Sequence, residues 1–331
     1  MKRSLLVAAA MAASVVVAAA MPQAGDVNSI LAAARAALGG EQKLAAVKTV
    51  LLTGSSTRVV GESSSAPGDA EVAIELPDKF ARTEVQDLGG FSLTRTRGFN
   101  GSTPIDIVDQ PPAAAGRVMI RIGPGGGLLG QEPTPEQREQ QKARLLSSNR
   151  QDFARFTLGF LLSSPQVYPL RFAYGGVAES PDGRADIIDV TGEDGFALRL
   201  FIDQSTHLPL MASWMARESL RITTTMRAGP GGAAPAGATG HATAAGAPAR
   251  QLTPEEREKL MRQLEEQRKE AEAKLRVVEH RIYYGDYREA DGIKVPFRLQ
   301  YSIDGKPTEE LVFDRVQVNR KIDPKKFEPG K

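Results

Sequence analysis

Apolar and polar side chains alternate along much of this chain from Val47 onward. AEVAIEL (70–76), KFARTEV (79–85), FSLTRTRGF (91–99) and RVMIRI (117–122) each switch sides residue by residue, and clusters of Gly, Pro, Asp or Ser separate them. A period of two bounded by turn residues predicts half-buried antiparallel strands with one face toward a core and the other toward water. The pattern resumes in YPLRFAY (168–174), in residues 185–214 and in SLRITTTM (219–226). Within 185–214, Gly192–Gly195 and Asp203–Pro209 read as turns that fold three strands into a meander. DYREADGIKVPFRLQY (286–301) reads as a hairpin about an Asp-Gly turn, and strand patterning continues to Val318.

A helical period interrupts the strands in a few places. Ile30, Leu31, Ala34 and Leu38 fall on one face of VNSILAAARAALGG, which ends at Gly39-Gly40, a pair suited to a left-handed cap. Thr134, Pro135 and Gln137 form an N-cap, a first-turn proline and a capping-box partner, so a helix is predicted to start there. A second helical stretch, NRQDFARFTLGFLLSS (149–164), puts Phe153, Phe156, Phe160 and Leu161 on one face, and flanking serines would let it move as a lid. That aromatic face suits either packing onto the sheet or lining a ligand cavity. Residues 228–250 are Ala/Gly/Pro/Thr-rich and read as a disordered linker; 252–279 read as a long charged helix laced with i to i+4 ion pairs. Together they look like an insertion between two strands of one sheet.

The N-terminus changes the picture of where the chain works. Lys2 and Arg3 precede an apolar run from Leu5 to Met21 with Ala18-Ala19-Ala20 as a cleavage site, so residues 1–20 read as a secretory signal peptide. The run is Ala-rich and is followed by Pro22 and Gly25 rather than by basic residues, which argues against a stop-transfer anchor. The expectation is a periplasmic protein, exported across the inner membrane, with no integral membrane segment after cleavage and a folded region over 26–331. With no cysteine it has neither disulfides nor a thiol for lipid attachment. The formal charge of +2 includes Lys2 and Arg3, so nucleic acid is not an implied partner.

Candidate chemistry is sparse. The three histidines, His207, His241 and His280, lie in a turn, the linker and the end of the charged helix, with no second His or Cys at ligand spacing. There is no G-x-S-x-G nucleophile turn. Gly125, Gly127 and Gly130 match G-x-G-x-x-G, but Pro133 and Pro135 delay the following helix, so its N-terminus cannot face a pyrophosphate. The carboxylate pairs Asp186/Asp189, Glu193/Asp194 and Glu289/Asp291 are explained by strand alternation or by turn chemistry. No enzyme, metal site or cofactor is expected.

Five segments taken in order carry a family likeness: ARAALGGEQKLAAVKTVLLTG (34–54), ELPDKFARTEV (75–85), DIIDVTGEDGFALRLFIDQSTHLPL (186–210), YYGDYREADGIKVPFRLQY (283–301) and VQVNRKIDPKKFEP (316–329). Together they resemble the LolA/LolB-like superfamily of outer-membrane lipoprotein-sorting and carrier proteins. The resemblance implies a mainly β (α+β) fold: an open, curved antiparallel β-sheet, an unclosed barrel, with helices covering the concave face and an apolar cavity between them. It further implies a non-enzymatic carrier or sensor for lipid or lipoprotein acyl chains. Phe80, Phe91, Phe156, Phe160 and Trp214 are the expected ligand-binding wall, and each is equally suited to plain core. Where the family has a Phe-Asp-Gly turn followed by Trp, this chain has Phe99-Asn100-Gly101 and then Ser102. A different reading makes the chain an interaction or regulatory module for envelope proteins that binds through the inserted helix.

Overall fold

The computed structural model describes residues 25–60, 63–87, 92–109, 134–163, 165–181, 183–217 and 275–329, together with Arg262, Glu266 and Glu270. The expected signal peptide, the glycine motif at 125–130, the strands expected at 117–122 and 219–226, the expected linker, Phe91, His241 and most of the expected charged helix lie outside these residues. Arg262, Glu266 and Glu270 are helical and exposed, whereas Val277, Val278, Glu279 and His280, expected at the end of the charged helix, lie in a strand, because the two-residue alternation from Val278 pairs with the sheet.

Two helices open the described chain, α1 (Val27–Leu38) and α2 (Glu41–Ala45). As the sequence predicts, α1 ends at Gly39, whose φ of 132° excludes most other residues and whose N–H bonds back to the last turn. Strands follow as β1 (Thr49–Val60), β2 (Ser63–Ser64), β3 (Gly68–Glu75), β4 (Lys79–Asp87), β5 (Ser92–Asn100) and β6 (Thr103–Asp109). After α3 (Pro135–Leu158) come β7 (Arg171–Ser180), β8 (Gly183–Thr191), β9 (Ala197–Asp203), β10 (Pro209–Arg217), β11 (Val277–Ala290), β12 (Ile293–Ile303) and β13 (Lys306–Val318). A 3-10 turn, Pro324–Phe327, closes the described chain.

All strands join one antiparallel sheet in the order β6-β5-β4-β3-β1-β13-β12-β11-β10-β9-β8-β7, with the short β2 bridging only β1. The sheet is thus two meanders, one growing outward from β1 and the other returning inward from β7, that meet where β13 pairs with β1. The predicted 286–301 hairpin is β11–β12, turning at Asp291-Gly292 with φ of 48° and 89°, the left-handed pair that an Asp-Gly turn supplies. Asp304-Gly305 repeats the device between β12 and β13. Pairing of β10 with β11, from Arg217↔Val277 to Met211↔Tyr283, brings together strands separated by residues 218–276.

The sheet curls around α3. In the helix, Asn149 donates to the Gly98 and Ile105 carbonyls on β5 and β6, while Arg155, six residues later, lies 4.5 Å from the ring of Trp214 on β10. Six helical residues rise about 9 Å, whereas β5 and β10 would be about 34 Å apart in a flat sheet. Edge strands β6 and β7 nevertheless do not meet, so the barrel stays open. The helices lie on this inner face: Leu31, Ala34, Leu38, Phe153, Phe156 and Phe160 pack into one core with residues from both meanders. The outer face has its own small cluster, where Phe327 of the closing turn packs with Ala73, Ala81, Ile105 and Ile322.

Thr134 and Gln137 form the predicted capping box. The expected division into two helical stretches is not found: Ser147 and Ser148 lie within one continuous 24-residue helix. Serine weakens a helix by only a few tenths of a kcal/mol, and tertiary packing of the following aromatic turns overrides it. Asn149 is therefore an anchor rather than a hinge. Replacing Asn149, which is buried, with Leu is expected to lower stability by about 1–3 kcal/mol, because two strand carbonyls lose their side-chain donor. Urea unfolding with an unchanged m-value checks it.

Candidate functional site

Strand register divides the inner face into two zones. Phe80 opposes Phe99 across β4–β5, and Gly54 opposes Phe313 across β1–β13. Two residues further along the same face, Arg82 opposes Arg97, and four residues beyond Gly54, Arg58 opposes Glu309. Side chains two apart on a strand share a face, so a sheet that is aromatic at one end becomes charged at the other. The aromatic end is tightly filled: Phe153 lies 5.5 Å from both Phe80 and Phe99, and Phe156 packs edge-on to Phe160 at 5.7 Å and to Phe313 at 6.3 Å.

At the charged end Glu84 is the hub. It is only 2% exposed, and it pairs with Arg82, with Arg58 at 2.6 Å and with Arg97 at 3.8 Å. Burial pushes the Glu84 carboxyl up, but the charges of Arg82, Arg97 and Arg58 together outweigh it and hold the group below the ordinary carboxylate range. Arg82 also bonds Glu309 at 2.7 Å and stacks over Tyr301 with its guanidinium 5.3 Å from the ring centre. Burial drives the Tyr301 phenol up to about 12, with the Arg82 charge opposing. Two arginines directly opposite each other would repel. Glu84 is the bridge that makes Arg82 and Arg97 compatible neighbours.

A cavity of about 310 Å³ opens where the two zones meet, between α3 and the sheet. Phe80, Phe156 and Trp214 form its apolar side; Arg58, Arg82, Arg97 and Glu309 form its charged side. Asp152 and Arg155 of α3, paired at 3.0 Å, face it from above. Arg155 also lies over the rings of Trp214 and Phe196, and Trp214 stacks on His280 with centroids 5.6 Å apart. Burial, and secondarily the Arg155 charge, lower the His280 pKa, so its ring is neutral at pH 7. The His280 Nε2 and the Ser302 Oγ, both on residues lining the cavity, are buried without a hydrogen-bond partner.

The sequence-predicted wall residues separate here. Phe80, Phe156 and Trp214 border the cavity, Phe160 is fully buried in the core beside Phe156, and Phe91 lies outside the described residues. The charged side was not anticipated from sequence, although Arg82 and Glu84 continue the face of Phe80 and Arg97 that of Phe99. Of the carboxylates weighed as chemistry, Asp186 accepts from Gln204 at 2.7 Å, and Asp194 and Asp291 hold left-handed turn positions, as does His207. Among the described residues no group of three or more His, Asp or Glu is placed to hold a metal, and no helix is long and apolar enough to cross a membrane.

The fold and its inner cavity define an open antiparallel half-barrel with helices on the inner face. No protein-family model matches the chain, and no curated protein does. Solved structures that it is similar to include a LolA superfamily protein from Nitrosomonas europaea, at 11% identity and TM-score 0.41, covering 92% of this chain and 98% of that one. A DUF1329 family protein from Desulfovibrio piger matches at 7% identity and TM-score 0.40, over 91% and 97% of the two chains. A third, from Vibrio parahaemolyticus and described as an outer membrane lipoprotein-sorting protein domain, matches at 8% identity and TM-score 0.39, over 91% and 97%.

Proposed function

We propose that this chain is a periplasmic, non-enzymatic carrier or sensor whose ligand contains an acyl chain and is held between α3 and the inner face of the sheet. The observation that carries this reading is the cavity itself, an internal space of about 310 Å³ with Phe80, Phe156 and Trp214 along one side. Its size is at the lower end of ligand pockets, which run from about 300 to 1,000 Å³. A single chain suits that space better than the several chains of a lipoprotein anchor, so a free lipid or one acyl arm is the favoured cargo.

Native mass spectrometry of the protein purified from its own cell envelope should reveal an adduct of lipid mass, and a fluorescent fatty acid should bind the delipidated protein. A ligand-free spectrum together with no fatty-acid binding would sink the carrier reading.

A further inference from the structure

The charged side of the cavity is not electrically closed. Five arginines reach it, Arg58, Arg82, Arg97, Arg155 and Arg281. Four carboxylates answer them. Glu84 and Glu309 take Arg58 and Arg82, Asp152 takes Arg155, and Glu279 takes Arg281 at 2.6 Å. Arg97 is left over. Its nearest carboxylate oxygen is Glu84 Oε1 at 3.8 Å, the same oxygen that Arg82 engages, and its side chain remains 32% exposed. The Arg97 side chain makes no hydrogen bond to any described residue. The neutral His280 ring adds no positive charge but leaves Nε2 unpaired, and the Ser302 hydroxyl, on a residue 5% exposed, is likewise without a partner.

A surplus guanidinium borders a space that Phe80, Phe156 and Trp214 also line, with His280 and Ser302 beside it. Guanidinium is the group best matched to a carboxylate or phosphate, and a desolvated cavity strengthens that pairing. The neighbouring rings of Phe80, Phe156 and Trp214 would take hydrocarbon. We propose that the cavity is a subsite for the anionic end of an amphiphile, a carboxylate or phosphate bound by Arg97, with the first part of its chain against Phe80, Phe156 and Trp214. The proposal rests on the carrier reading and adds the class of head group.

Trp214 is the chain's one tryptophan and borders the cavity, so its emission reports occupancy directly. Decanoate, decyl phosphate, 1-decanol and inorganic phosphate would each be titrated into the delipidated full chain below micelle-forming concentrations. Decanoate and decyl phosphate are expected to shift the emission and to bind at least tenfold more tightly than 1-decanol, equivalent to about 1.4 kcal/mol. Their affinity should weaken with added salt while that of 1-decanol does not. Arg97→Gln should remove the tenfold advantage and leave 1-decanol unchanged, and Arg97→Lys, which keeps the charge, should restore part of it; melting temperature confirms that each variant is folded. Equal binding of decanoate and 1-decanol, or an unaffected R97Q, overturns the anion subsite and leaves the carrier reading standing. Inorganic phosphate binding as tightly as decyl phosphate overturns the amphiphile in favour of a free-anion site. No response to any chain-bearing probe overturns both readings.

Discussion

The double variant Phe156→Ala/Phe160→Ala is expected to be largely unfolded at room temperature. Both rings are buried, Phe160 completely, and they touch each other as well as the Phe80 and Phe313 rings through Phe156. Truncating a buried phenylalanine costs about 3–5 kcal/mol, transfer and cavity effects together, against a total stability of about 5–15 kcal/mol for a domain. The two losses will not add exactly because the rings are in contact. The single variants separate their roles. Phe160→Ala should lower stability by about 3–5 kcal/mol with fatty-acid affinity unchanged, since Phe160 does not border the cavity. Phe156→Ala should weaken both. Circular dichroism melts with and without fatty acid decide, and a double variant that stays folded with only a few degrees' loss would instead make both rings walls of an open space.

Glu84→Gln is expected to cost about 3–5 kcal/mol at pH 7, the usual penalty for removing one partner of a buried ion pair. The glutamine keeps the shape but leaves Arg82, 12% exposed, with Glu309 as its remaining carboxylate. The pH dependence identifies the cause. A carboxylate held below its unfolded pKa contributes stability that is complete above about pH 4.3 and is lost as pH falls through the folded value. The gap between wild type and variant should therefore be widest near neutrality and close progressively below about pH 4. A gap that persists unchanged into acid would mean that packing, not charge, is what the substitution disturbs.

What the sequence made legible was local. The Asp-Gly turns, the cap at Gly39 and the Thr134–Gln137 box are each set by two or three neighbouring residues, and the structure has them all. The helix α2, five residues long, gives too few turns for a period to register. The cavity was half legible. Phe80, Phe156 and Trp214 stood out as large apolar residues at face-forming positions, but nothing local separates them from Phe160, which is core.

The charged zone was missed because alternation is read by its apolar members, and Arg82, Glu84 and Arg97 then look like the solvated side. Their parity contradicts that: counting by two from Phe80 and Phe99 leads directly onto them, which puts charge on a face that is elsewhere buried. Charged residues at buried parity on adjacent strands are the signal that could have found the site. The Trp214–His280 stack has no such signal. It needs the β10–β11 register, which spans residues 218–276.

The meeting of β1 with β13 has a consequence for how the molecule comes into being. On the ribosome β1 appears early and β13 near the end, yet the two are neighbours in the middle of the finished sheet. Until Lys306–Val318 is available, β1 and β12 each present an unsatisfied row of N–H and C=O groups, the template on which other chains add. Pairings so distant in sequence are also slow to form. The newborn protein thus carries two sticky seams for most of its folding time, and a copy truncated before β13 would keep both, making premature termination a route to aggregates rather than to a smaller working protein.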